Sequence, residues 1–264
     1  MRKGGRGGRW GGFGPVGAGG VKLWMPTSAD SFVKRTDRLK EDLVDQGKRV
    51  QAMLEGAFEA LFDRNAEKAH WVMRQDDVID AVDVQLEQSS VALLIEATRQ
   101  GAELDSQQLR AVLMIVKINN ELERIADVAV DLAELLESGG GSKGGVTPSK
   151  YPDTFRVMAN SVIGIIRDTC EAVAKNDPAT ANIVLQSQHA VTAFKSALLK
   201  DAEGQLSRGT MTVDFAFQLH EIATQCELVA DHCTNISEQV IYTTTGAIVR
   251  HMQSSWVEVG RPGA

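Results

Sequence analysis

Aromatic residues make up only 5 % of the 264-residue chain, proline occurs six times and cysteine three times. β-Branched runs bounded by turn residues are almost missing, which argues against a sheet-built fold. Ala, Leu, Gln, Glu and Asp instead fill long proline-free stretches, so an all-α architecture is expected. Three cysteines (Cys170, Cys226 and Cys233) make neither a disulfide framework nor a zinc-knuckle spacing. No apolar run approaches the roughly 20 residues that a membrane-crossing helix needs. No basic segment followed by an apolar leader opens the sequence, and a cytoplasmic location is therefore expected.

Charge is unevenly shared. Arg2, Lys3, Arg6, Arg9 and Lys22 give the first 24 residues +5 with no acid, so the total of −7 leaves −12 for the rest. An acidic body excludes nucleic acid as the partner of the folded part and favours cations or basic protein surfaces.

Glycine punctuates the chain into segments. Residues 1–27 read as a disordered Gly/Arg-rich tail, as an RGG-like tether, or as sequence upstream of a start at Met25. Residues 28–137 hold three helical patterns, 138–150 a flexible linker containing "SGGGSKGGVTPSK", 151–250 three more helices, and 251–264 a C-terminal tail. The last helix is expected to reach about residue 250. Gly12-x-Gly14-x-x-Gly17 and Gly140-x-Ser142-x-Gly144 match a dinucleotide fingerprint and a nucleophile elbow only formally. Neither lies at a strand-to-helix turn, so neither carries chemistry.

The two halves repeat one another. Ile115, Ile118, Leu122, Ile125, Ala129, Leu132 and Leu136 are spaced 3,4,3,4,3,4. Leu219, Ile222, Cys226, Val229, Cys233, Ile236 and Val240 follow 104 residues later with the same spacing. A seam of this kind is buried by a bundle, so the expected fold is two tandem three-helix bundles related by an internal repeat. Cys226 and Cys233 then fill core positions as small apolar residues.

Acidic residues form rows. At about 100° per residue, Glu123, Asp127, Asp131 and Glu134 share one stripe of the third helix, opposite its seam. Asp76, Asp80, Asp83 and Glu87 form another on the second helix. That row is expected well over a right angle from a face bearing Trp71, Val78, Val82 and Leu93. Like charges one turn apart repel by roughly 0.2–0.5 kcal/mol per pair, and no lysine interrupts either row. One such row reads as a solvated face. Two rows in one bundle, with Glu123/Asp127 recurring as Glu227/Asp231, point to a cation site of oxygen ligands open to iron, manganese, zinc, magnesium or calcium. Matching "VMRQDDVIDAVD" to "VLQSQHAVTAFK" sets Gln188 against Asp76 and Thr192 against Asp80. A weaker or vacant second site is therefore expected, with His189 and His220 as substitute ligands to check.

These stretches, "NELERIADVAVDLAE" at 120–134, "CELVADHCTNISEQVIY" at 226–242 and "DDVIDAVDVQLE" at 76–87, resemble the PhoU family of bacterial phosphate-signalling regulators. The likeness covers roughly residues 30–250. Ala126 stands where the family shows Gly, and Leu228-Val229 replace Arg-Ile. The resemblance implies a non-enzymatic adaptor that damps the phosphate-starvation response. Its implied partners are a phosphate-sensor histidine kinase and the ATPase subunit of a phosphate ABC importer, and it implies a homodimer. It also implies a metal cluster, iron or zinc foremost with manganese or magnesium as alternatives, on Asp76, Asp80, Glu123, Asp127, Glu227 and Asp231.

Two alternatives were weighed. A helical accessory protein of another anion transporter fits the same residues. A carboxylate-bridged di-metal enzyme needs two inward Glu-x-x-His motifs, and only Glu67-x-x-His70 is present.

Overall fold

The computed structural model describes residues 29–139 and 151–249. The Gly/Arg-rich tail, most of the linker and the C-terminal tail lie outside the described residues. Those described form six helices and no strand: α1 (Ala29–Asp63), α2 (Ala66–Arg99), α3 (Ser106–Gly139), α4 (Asp153–Lys175), α5 (Pro178–Ser207) and α6 (Val213–Thr245).

Local chemistry sets the helix ends. Asn65 accepts from the Lys68 amide at 3.1 Å to start α2. Asp105 Oδ1 accepts from the amides of Gln107 and Gln108, both at 2.8 Å, while Gln108 Oε1 accepts from the Asp105 amide at 3.0 Å. This reciprocal box satisfies amides that the first turn of α3 would leave unpaired. Asp177 caps α5 ahead of Pro178, whose missing N–H is harmless at the first helical position. The last helix stops at Thr245 rather than near residue 250, because Gly246 turns left-handed there (φ +76) and closes the helix.

α1, α2 and α3 pack on one another, as do α4, α5 and α6, and the two sets join through α3 against α6 and α1 against α4. One continuous apolar core runs through both sets. Both seams face it: Ile115, Ile118, Ile125 and Ala129 of α3 and Ile222, Cys226, Val229, Cys233 and Ile236 of α6 are fully buried, while Leu219 joins Ala202, Met211 and Phe215 in a smaller cluster. Burial in apolar surroundings pushes the Cys226 thiol up to about 12 and raises that of Cys233 further, as befits inert core residues.

Several aromatics gather where α1 meets α4. Phe58 and Phe62 of α1 stack against Phe155 of α4, with Tyr151 beside them, and the Arg156 guanidinium lies 4.1 Å over the Phe62 ring. Nearby, α1 and α4 approach so closely that a Cβ on Gly47 would stand 3.2 Å from Cys170 Sγ.

The α3–α6 contact is antiparallel and polar at its edges. Glu121 Oε2 accepts from Asn235 Nδ2 at 3.0 Å, and Asp131 Oδ2 accepts from Gln225 Nε2 at 3.0 Å. By the 104-residue repeat, Gln225 is the mate of Glu121 and Asn235 the mate of Asp131. The two bonds are thus the same contact made twice about a pseudo-two-fold axis, with the acid always on α3.

Candidate functional site

On α2 the core face differs from the expected one. Val72, Ile79, Leu86 and Leu93 are buried, with Ala69 and Ala97, whereas Trp71 (36 % exposed) and Val78 (45 %) face outward. Of the expected face Leu93 is buried and Val82 packs partly buried against the core, while Trp71 and Val78 are left at the rim; the core follows the heptad line through Ile79. The consequence for the acids is direct. At about 100° per residue, Asp76, Asp80, Asp83 and Glu87 lie roughly 40–100° from Ile79, on the shoulder of the core face and not behind it.

That shoulder meets α3. Asp83 is fixed there by Asn119, whose Nδ2 donates to the Asp83 carboxylate at 2.7 Å and to its main-chain carbonyl at 3.0 Å. Asp76 Oδ1 is buried without a hydrogen-bond partner, although buried carboxylate oxygens are normally satisfied. The electrostatics run across the two helices. Burial, then Asp80, then Asp127, raise the Asp76 carboxyl above its ordinary range. Burial, then Asp127, Asp83 and Asp80, raise Glu123, with Arg124 opposing. Burial, then Asp80 and Asp131, raise Asp127. Asp83 is raised by burial, Glu87 and Asp80.

Asp76, Asp80, Glu123 and Asp127 therefore lie within electrostatic reach of one another on α2 and α3. Arg124 is turned aside to Asn120 Oδ1 at 3.1 Å. Among the described residues, no three His, Cys, Asp or Glu side chains are gathered into a ready metal centre. The donor set is all oxygen, and one of its oxygens lacks any partner, so the residues present fit a hard or borderline cation.

The second repeat is built otherwise. Glu227 Oε2 accepts from Lys195 Nζ at 2.5 Å, and the same ammonium reaches Thr224 Oγ1 at 3.1 Å. Gln188 Nε2 donates to Asp231 Oδ1. His189 and His220 are exposed, and neither is the histidine at the acidic region. That one is His232, whose Nδ1 lies 2.8 Å from Glu121 Oε2 at the α3–α6 contact. Burial pushes Glu121 up, but the bonds from His232 and Asn235 outweigh it and hold its carboxyl below the usual range.

Sequence reasoning passed over Lys195 and the Glu121–His232–Asn235 group. For Lys195 a signal existed: the α2–α5 match sets it against Asp83, a reversal of charge inside an otherwise acidic row. Glu121 gave none, since its partners lie 111 and 114 residues away. Asp131, counted in the acidic stripe, is held by Gln225.

Comparison with known proteins agrees with this architecture. A phosphate-specific transport system accessory protein PhoU homolog 1 of Thermotoga maritima is 26 % identical over 233 residues, covering 88 % of this chain and 97 % of the relative. A PhoU homolog of Zymomonas mobilis is 28 % identical over 208 residues, covering 79 % and 84 %. The crystal structure of the phosphate transport system regulatory protein PhoU from Streptococcus pneumoniae superposes with a TM-score of 0.73 at 20 % identity. It covers 83 % of this chain and 99 % of that one. PhoU from Pseudomonas aeruginosa gives 0.73 at 22 %, covering 81 % and 99 %. At these identities the two structures establish the fold. The PhoU domain model matches twice, at residues 43–136 and 155–240, one match for each three-helix set, and the chain belongs to the PhoU family.

Proposed function

We propose that this chain is a non-catalytic, cytoplasmic regulator of phosphate uptake whose first repeat holds a metal ion or cluster between α2 and α3. Asp76, Asp80, Glu123 and Asp127 are the ligands in this reading, with iron or zinc foremost and manganese or magnesium as alternatives. The observation that supports it is that Asp76, Glu123 and Asp127 are raised by burial and by neighbouring acids of α2 and α3, with Asp76 Oδ1 left without a donor. A bound cation supplies the positive charge that this set lacks; the chain's part is to hold the oxygens and neutralise them together.

The regulatory role rests on relatives named as phosphate-specific transport system accessory proteins. In this reading the protein damps the starvation response when phosphate is plentiful. It does so by engaging a phosphate-sensor histidine kinase and the ATPase subunit of a phosphate importer, as a homodimer. No described helix is long and apolar enough to cross a membrane. Deleting the gene is expected to raise transcripts of phosphate-uptake genes severalfold in phosphate-rich medium. Unchanged transcripts would remove the regulatory role while leaving the fold intact.

A further inference from the structure

Aligned on their buried positions, the two repeats differ in charge along the α2 and α5 rows. The register is fixed by burial: Ala69, Val72, Ile79 and Leu86 of α2 match Ala181, Val184, Val191 and Leu198 of α5, all buried, 112 residues apart. In that register Asp76, Asp80 and Asp83 become Gln188, Thr192 and Lys195, while Glu123 and Asp127 become Glu227 and Asp231. Five positions of formal charge −5 in the first repeat thus carry −1 in the second.

The side chains that replace the acids are the ones that touch the remaining acids. Lys195 bonds Glu227, and Gln188 bonds Asp231. The Lys195–Glu227 pair is mostly withdrawn from water, at 19 % and 27 % side-chain exposure, where an ammonium is screened little by salt. Thr224 Oγ1 holds the same ammonium from α6.

We propose that the Lys195 ammonium is a covalently built-in cation that stands in the second repeat for the metal of the first. The second repeat is therefore a metal-independent scaffold, and metal loading changes the first repeat alone. This rests on the cation reading of the first repeat for its functional meaning, but not for its test.

The test uses the full chain carrying Asp76→Asn and Asp80→Asn, which silences the first repeat, titrated with zinc chloride alone. Adding Lys195→Asp restores an acid at the register of Asp83 and is expected to add about one tightly bound zinc per chain. Lys195→Met removes the charge and supplies no ligand. It is expected to lower the melting temperature in chelator and to regain part of that loss when zinc is added, a response absent with Lys195 in place. The inference is overturned if Lys195→Asp, with helical content intact, binds no more zinc than its background. It is equally overturned if Lys195→Met melts like its parent with and without zinc. The first-repeat reading fails separately, when the natural sequence takes up no more zinc than the chain with both Asn substitutions.

Discussion

Asp76 Oδ1 is buried without a hydrogen-bond partner. Its neighbours on α2 and α3 are acids, and its own carboxyl is raised by burial and by Asp80 and Asp127. A carboxyl raised in the fold binds its proton more tightly there than in the unfolded chain. Stability therefore falls as pH rises through the carboxylate range, the penalty being full above the folded pKa and absent below the unfolded one. In metal-free protein, Asp76→Asn should raise the melting temperature by about 1–4 °C at pH 7, from two like-charge neighbours at roughly 0.2–0.5 kcal/mol each. The gain should vanish below about pH 3.5, where aspartate is protonated in both states. Thermal melts across pH check this, and a destabilised Asp76→Asn at neutral pH would mean that an unseen donor satisfies the carboxylate. Glu121 behaves oppositely. Held below its usual range by His232 and Asn235, it contributes stability that is lost as pH falls through the carboxylate range.

At the scale of the element, α2 shows how a helix chooses its buried face. Ile79 is 1 % exposed and its neighbour Val78 is 45 % exposed. Ile79→Ala should cost about 2–5 kcal/mol by transfer and cavity terms, and Val78→Ala under about 0.5 kcal/mol. Chemical denaturation of the two variants separates them; similar costs would return the core face to the Val78 side. The seams of α3 and α6 were legible in the sequence because seven apolar positions recur at one spacing in both halves. The face of α2 was legible only at Leu93 and Val82, because apolar residues occur on more than one side of this helix: Val72, Ile79 and Leu86 are buried, while Val78, Val84 and Val91 are exposed. Helix starts at Asn65 and Asp177 were legible from cap chemistry, and that of α3 only as Asp105 or Ser106, which the bonds to Asp105 Oδ1 resolve. The end of α6 at Gly246 was hidden among threonines that continue the pattern. Of the site, the acids on α2 and α3 were visible as rows. Their placement beside the core, and Lys195 answering Glu227, depend on how α2 meets α3 and how α5 meets α6.

For the whole molecule, the internal repeat gives a nearly symmetric frame with an asymmetric load. The Glu121–Asn235 and Asp131–Gln225 bonds mark the pseudo-two-fold, and the core is shared across it. On one side no lysine stands in the acidic rows of α2 and α3; on the other Lys195 pairs with Glu227. Asp127 lies beside this shared contact, since His232 of α6 lowers its carboxyl in opposition to the neighbouring acids. A cation held by α2 and α3 therefore acts next to the surface that joins the two repeats. The most direct measurement is the metal content of the purified full chain by elemental analysis, compared between two paired substitutions. Cation sharing between α2 and α3 requires that Asp76→Ala with Asp80→Ala remove most of the bound transition metal, while Gln188→Ala with Thr192→Ala leave it nearly unchanged. Equal losses from both pairs, or no metal in the natural sequence to lose, would contradict it.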